Sequence, residues 1–318
     1  MGEVWRSIRL AASMLAVTAL LLLAAGIMLL SLSPPEKREG LLQIVPCASG
    51  VEAVANASTR FARKPLGVAW VDPNVWGAGL AGSEGLEGHA RVLCEPGGPL
   101  RIEVDFRSPR WGSPIEVLAY PSVAYGLKPW NRSADLQGGV EPLPLPLRLR
   151  ELPTITLSVE YRVLEPSERF NVAYDLWIVR KPAAGVRPGD LEVMVWLSWR
   201  NSTPLGYLAK VVKIPVFVNG SARELEWEVW VAPREGEGWD YVAFLPRQAL
   251  AGGAVSLNLN LFVDYSLSTL SELRPGRWYP NYAEELYLAS IELGSEVFRS
   301  PTMLLRWEIL RYEIVVQP

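Results

Sequence analysis

Three acidic segments of this chain put a carboxylate on the polar side of an alternating, strand-like stretch with aromatic neighbours. In LEVMVWLSW (191–199), Leu191, Val193, Val195 and Leu197 point one way, and Glu192, Met194, Trp196 and Ser198 the other. In FNVAYDLWIV (170–179), Asp175 shares a face with Asn171, Ala173 and Trp177. In SIELGSEVF (290–298), Glu292, Gly294, Glu296 and Phe298 oppose Ile291, Leu293 and Val297. Paired carboxyl groups on one rigid face can cleave a glycosidic bond. One stays ionised and attacks the anomeric carbon; the other stays protonated and hands its proton to the departing oxygen. Their mutual repulsion raises the pKa of one of them. A third carboxylate can orient the attacking one, and aromatic side chains on the same face can stack on sugar rings. Taken singly, a Glu on the outer face of a strand is usually just solvated, so alternation alone does not select these residues.

The elements that must hold such a face are strands. ITLSVEYRVL (155–164), LEWEVWV (225–231) and VSLNLNLFV (255–263) alternate in the same way, and KPAAGVRPGD, VNGS and PREGEG supply turns between strands. The 26 Gly and 26 Pro suit a turn-rich all-β chain. Many strands with one apolar face each imply two packed sheets. One short helix is expected over 264–273, with Asp264 as N-cap and Leu267, Leu270 and Leu273 at three-residue spacing.

Composition narrows the classes. The 318 residues carry a formal net charge of -3, which gives no concentrated basic surface for nucleic acid. The single His, His89, leaves little material for a His-based triad or a His-rich zinc site, and it reads as a surface loop residue. The 13 Trp are unusual; the ordinary role of each is packing, and Trp on polar strand faces would instead indicate sugar stacking.

The amino terminus has Arg6 and Arg9 before an apolar run, residues 10–30. A signal peptide's apolar core is about 7–15 residues, whereas a spanning helix needs about 20. The run fits a span better, with its amino end in the cytoplasm, although cleavage near Ala24–Gly26 remains open. Either way the chain after about residue 35 lies outside the cell. Asn56, Asn131, Asn201 and Asn219 each begin a glycosylation tripeptide. Cys47 and Cys94, both beyond the apolar run, can pair in an oxidising compartment; two buried thiols are the alternative. The organisation expected is therefore an anchor or signal peptide (1–34), a linker (35–45) and one domain (46–318).

Between Cys47 and Phe298 the chain resembles glycoside hydrolase family 12, the endoglucanase and xyloglucanase family. EVMVW (192–196) resembles the family's nucleophile strand, GSEVF (294–298) its late Gly-X-Glu segment, and YDLW (174–177) the strand whose Asp assists the nucleophile. NVWG (74–77) and AYPSVAYGLKPW (119–130) resemble two further family segments. The resemblance implies Glu192 as nucleophile, Glu296 as acid/base and Asp175 as the residue that orients or tunes Glu192. It implies Asn74, Trp76, Met194 and Trp196 as cleft residues, Trp130 as a cleft or structural aromatic, and a Cys47–Cys94 disulfide. Glu292 is the rival to Glu296. Gly294, two residues before Glu296 as in the family pattern, favours Glu296. RNSTPLG (200–206) and VFRSP (297–301) depart from the family's usual sequence, the former beside the cleft. The Tyr-rich nucleophile strand of family 11 xylanases fits less well.

The implied fold is all-β: a jelly-roll sandwich of two antiparallel sheets with a concave substrate cleft and one short helix. The implied protein is a monomeric retaining endo-β-1,4-glucanase without cofactor or metal, acting on β-glucan outside the cell or at its surface. Two other readings stay open: the same fold acting on xyloglucan or mixed-linkage β-glucan, and a non-catalytic glycan-binding jelly roll, since fold does not fix function.

Overall fold

The computed structural model describes residues 39–79, 85–107, 116–129, 138–182, 184–234, 238–279 and 281–317. The apolar amino-terminal run, Trp130 and Asn131 lie outside these residues. Among the described residues, no helix is long and apolar enough to cross a membrane.

The first strands are β1 (Gly40–Val45), β2 (Val51–Ala55), β3 (Lys64–Leu66), β4 (Ala69–Asp72), β5 (Glu87–Cys94), β6 (Leu100–Arg107), β7 (Val117–Ala119), β8 (Ser122–Gly126) and β9 (Leu147–Arg148). The longer strands follow: β10 (Thr154–Glu165), β11 (Phe170–Val179), β12 (Leu191–Arg200), β13 (Tyr207–Val218), β14 (Ser221–Ala232), β15 (Asp240–Pro246) and β16 (Gly253–Asn258). Helix α1 (Leu259–Leu273) precedes β17 (Tyr287–Gly294), β18 (Val297–Phe298) and β19 (Thr302–Gln317).

Two layers result. The outer one runs β2–β5–β6–β19–β10–β16, with β1 beside the carboxyl-terminal half of β19. The inner one runs β3–β4–β8–β17–β11–β12–β15–β14–β13. β13 also pairs with β16 through Val216–Val218 and so joins the layers. Within these two layers, neighbouring strands are antiparallel except β12 with β15. The architecture is the expected jelly roll. Its core lies between the layers: Tyr174, Leu176 and Ile178 of β11 and Leu191, Val193 and Val195 of β12 face Leu305, Trp307, Tyr312 and Ile314 of β19. Burying side chains of this size yields about 1.5–3 kcal/mol each. The other face of the inner layer is thereby left to carry the acidic residues.

Local chemistry explains several junctions. Asn219 and Gly220, both at positive φ (51° and 76°), turn β13 into β14, as an Asn-Gly pair does in a two-residue hairpin. Asn258 caps α1, its side chain accepting from Asn260 N at 2.9 Å. The helix therefore begins at Leu259, and Asp264 lies inside it, which corrects both the expected N-cap and the expected strand over 259–263. Leu257, Leu259, Leu261 and Val263 alternate, but from Leu259 on the buried residues are Leu259, Phe262, Val263, Ser266, Thr269 and Leu270, at helical spacing. Phe262 packs edge-on to Trp227 and Phe244 at 5.2 and 5.0 Å.

Two more expectations change. Residues 40–45, placed in the linker, form β1 and pair with β19 from Gly40↔Val316 to Val45↔Tyr312. His89 lies within β5 opposite Asp105, not in a loop.

Cys47 and Cys94 form a disulfide that spans 47 residues of sequence. The closed loop contains β2 to β4 and the segment with Asn74 and Trp76. In the chain-entropy account a loop of this length contributes about 4 kcal/mol. Replacing both cysteines by Ala should lower the unfolding free energy by about that amount in guanidinium titrations. An unchanged midpoint would show that the bridge does not constrain the unfolded chain.

Candidate active site

Register converts the sequence alternation into rows across the inner layer. Asp175 stands opposite Met194 on β12 and opposite Glu292 on β17. Glu292 stands opposite Ala124 on β8, which stands opposite Trp70 on β4. One step along, Trp177 is opposite Glu192, and Glu192 is beside Tyr241 of β15. Asp175, Glu192 and Glu292 thus occupy adjacent positions on three neighbouring strands.

A β-bulge between Val172/Ala173 and Trp196/Ser198 ends the simple alternation of β12. Beyond it Ser198 pairs with the core residue Val172, and Trp199 takes the place opposite Asn171. Ser198 therefore leaves the face of Glu192, where alternation had put it.

Glu296 lies between β17 and β18 and is fastened to β11 by Asn171. Asn171 N donates to Glu296 O at 3.0 Å, Glu296 N donates to Asn171 Oδ1 at 2.8 Å, and Asn171 Nδ2 donates to Glu296 Oε2. The residue two positions earlier must be Gly: a Cβ on Gly294 would lie 2.6 Å from Pro121 O and 2.8 Å from Ser122 Cβ.

Glu192 receives a hydrogen bond from Trp239 Nε1 at 2.5 Å. Trp239 is held by its neighbour Asp240, a buried carboxylate that accepts from Arg234 N (2.8 Å), Arg274 Nη1 (3.1 Å) and Trp278 Nε1 (2.8 Å). Asp240 N in turn donates to Asp190 O at 3.0 Å, two residues before Glu192. The parallel start of β12 and β15 thus aligns donor and acceptor.

These groups surround a cavity of about 360 Å³ lined by Glu192, Glu296, Asp175, Asn74, Trp76 and Met194, together with Phe61, Tyr120, Lys128, Trp177, Val186 and Trp239. Trp177 and Trp239 meet edge-on at 5.4 Å. Asn74 adopts φ 41°, with its N–H on Asp72 Oδ1 at 3.0 Å and its carbonyl accepting from Tyr120 N at 2.9 Å. Trp196 is not in the lining: it is 1 % exposed and packs on Phe298 at 6.1 Å. The expected cleft residue Trp130 falls outside the described residues.

The four carboxylates divide by access. Glu192 and Glu296 are half-buried, and Asp175 and Glu292 are 4 % and 0 % exposed. Glu292 is tied to Lys128 Nζ at 2.9 Å and Ser122 Oγ at 3.1 Å, away from the surface of the cavity. Burial raises the Glu192 pKa to about 7, against the Trp239 hydrogen bond and the Lys128 charge. Burial, then the charge of Glu192, raises the Glu296 pKa to about 8, against the Asn171 hydrogen bond. Burial and the neighbouring Glu192 and Glu292 hold the Asp175 pKa well above the usual carboxylate range. Near neutral pH such a set offers one carboxylate that can ionise beside one that keeps its proton.

Asn171 and Trp177 lay on the alternating face already read from sequence, yet their type alone did not mark them. Trp239, Phe61 and Val186 lie outside regular strands, and no periodicity points to them.

Residues 110–316 match the sequence pattern described as Glycosyl hydrolase family 12. Comparison with curated proteins found no match. Among solved structures, a family 12 xyloglucanase from Bacillus licheniformis superposes with TM-score 0.60 at 21% identity, covering 84% of this chain and 100% of the other. A metagenome-derived family 12 endoglucanase gives 0.59 at 21% identity, covering 85% and 99%. An endoglucanase from Rhodothermus marinus gives 0.56 at 22% identity, covering 84% and 100%. At these identities the likeness establishes the fold, and the sequence match establishes the family: the chain belongs to glycoside hydrolase family 12.

Proposed function

We propose that the protein is an endo-acting, retaining β-1,4-glucanase, with Glu192 as nucleophile and Glu296 as acid/base. The observation that carries this reading is the division of the acidic face. Only Glu192 and Glu296 among its four carboxylates are not fully buried, both line one aromatic cavity, and Glu296 is the one that holds its proton to higher pH. Retention requires the two carboxyl groups to be roughly 5 Å apart.

In the first step the Glu192 carboxylate attacks C1 while the Glu296 carboxyl gives its proton to the departing oxygen. A glycosyl-enzyme ester forms and one chain leaves with a free hydroxyl. In the second step Glu296, now a carboxylate, takes a proton from water as the water oxygen attacks C1 and Glu192 departs. Trp239 offsets negative charge on Glu192, and Asn171 fixes the Glu296 backbone and carboxyl together. Trp76, Trp177 and Trp239 give the cavity flat apolar walls suited to sugar rings. The structural neighbours named endoglucanase, xyloglucanase and endo-1,4-beta-glucanase support a β-glucan substrate. The extracellular or cell-surface location, with the apolar run 10–30 as tether or signal, belongs to this proposal.

The test is release of reducing ends by the full chain from soluble cellulose derivatives, xyloglucan, mixed-linkage glucan and xylan, with the anomer of the first product read by proton NMR. Glu296→Gln should lower turnover about 10²–10⁴-fold on unactivated substrates, and Glu192→Gln should abolish it, with unfolding midpoints preserved. A folded protein that binds glucan without cleaving it would replace the enzyme by a binding module. A first product of inverted configuration would exclude the covalent intermediate.

Acidity gives a second test. Glu192 must be ionised, so activity falls as pH drops below about 7. Glu296 must be protonated, so activity falls as pH rises above about 8. The kcat/KM profile should be a narrow bell between those values. Trp239→Phe removes a bond that favours ionised Glu192, so its acidic limb should move up. Asn171→Ala should move the alkaline limb up in the same way. Limbs that stay in place in both variants would detach the profile from these two carboxyls.

A further inference from the structure

The buried half of the acidic face has its own chemistry. Asp175 and Glu292 stand directly opposite one another on β11 and β17. Facing side chains in such a pair have Cβ atoms about 5 Å apart, and two like charges that close inside a protein repel strongly. Each carboxylate has one oxygen with donors. Asp175 Oδ2 accepts from Trp177 Nε1 at 3.2 Å; Glu292 Oε2 accepts from Lys128 Nζ at 2.9 Å and Ser122 Oγ at 3.1 Å. Each also has one buried oxygen, Asp175 Oδ1 and Glu292 Oε1, that meets no hydrogen-bond donor. A single proton between the two satisfies both oxygens at once and removes one of two facing charges.

We propose that Asp175 and Glu292 share one proton, seated between Asp175 Oδ1 and Glu292 Oε1, and that Lys128 balances the charge that remains. Glu292 and Lys128 are then positioning residues for the reaction. Around this pair stand Glu192 from β12, Glu296 beyond β17, Tyr120 before β8 and Tyr241 from β15, and both tyrosines are held well above their usual range, by burial first. Burial alone would pull the Lys128 ammonium down, but Glu292 and Asp175 outweigh it and hold it above its ordinary value. With the shared-proton pair and Lys128 summing to zero, the negative charge of Glu192 beneath the cavity is left to the Trp239 hydrogen bond. That consequence rests on Glu192 as nucleophile; the shared proton does not.

Difference infrared spectroscopy of the full chain in H₂O and D₂O, at a pH above the Glu296 titration, reads the proton directly. The wild type should show a protonated-carboxyl C=O band that is lost in Asp175→Asn and also in Glu292→Gln. A wild-type spectrum with no protonated carboxyl overturns the proposal, and it decides this even where a variant fails to fold. A band lost in Asp175→Asn but unaltered in Glu292→Gln overturns it too, because the proton then belongs to Asp175 alone. In kinetics, Lys128→Met should move the acidic limb of kcat/KM to higher pH and Lys128→Arg should return it. An acidic limb unmoved in Lys128→Met removes Lys128 from the role. The infrared result needs no turnover, so failure of the shared proton and failure of the glucanase reading are separable.

Discussion

Strand β11 is hydrogen-bonded along both edges, to β12 on one side and to β17 on the other. That double pairing sets Asp175 against Met194 and Glu292 and brings Trp177 against Glu192. Side chains alternate with period two, so a slip of one residue in either ladder would send Asp175 or Glu192 into the core and bring Tyr174 or Val193 out to the cavity. The slip is opposed from behind. Tyr174, Leu176 and Ile178 fill the interlayer core against β19, and a shifted register would trade them for carboxylates. Packing of the apolar face is therefore what holds the acidic face in alignment.

The remaining parts are fastened to this frame by polar groups that lie outside the alternation. Asn171 reaches from β11 to Glu296 through both backbone and side chain, so the acid/base candidate keeps its place although it sits in a break between two strands. Asp240 gathers Arg234 N, Arg274 and Trp278 and so carries the end of α1 into the placement of Trp239. Both devices exchange a buried charge or amide for several hydrogen bonds, which is the condition under which burying polar groups is tolerable. The bulge in β12 serves the same frame: it keeps Leu197 in the core while turning Trp199 toward the cluster around Trp196.

This division explains what the sequence made legible. The alternation of 170–179 and 191–196 needs no more than period two, and the faces of Asp175, Glu192 and Met194 follow from it directly. The strand-like pattern over 259–263 was ambiguous because Leu259, Leu261 and Val263 fit period two while Leu259, Phe262 and Val263 fit a helix; the Asn258 cap decides the matter and carries little weight in a pattern count. Ser198 was misplaced because an inserted residue leaves no mark in hydrophobicity. Gly40–Val45 follows a Pro- and charge-rich stretch and gains strand form only by pairing with β19, nearly the whole chain away in sequence. Lys128 and Trp239 act through contacts with partners far along the chain, and a residue's reach across such distances is not written in its neighbours.

Burying this many acids on one face has a direction as well as a cost. Raised carboxyl pKa values mean that the folded protein binds protons which the unfolded chain would release, so stability falls as pH rises from the ordinary carboxylate range toward the folded values of about 7 for Glu192 and about 8 for Glu296. The fold offsets this with groups that favour the charged forms: the Trp239 indole on Glu192, the Asn171 amide on Glu296, and Lys128 beneath the set. Neither the indole nor the amide cancels burial outright; Glu192 and Glu296 stay above the ordinary value, as does Asp175 beside Lys128. Full cancellation would leave every carboxylate ionised at neutral pH and deprive the cavity of a proton to give. The partial offset keeps two neighbouring carboxyls on either side of a proton, which is the state that acid-assisted cleavage of a glycoside requires.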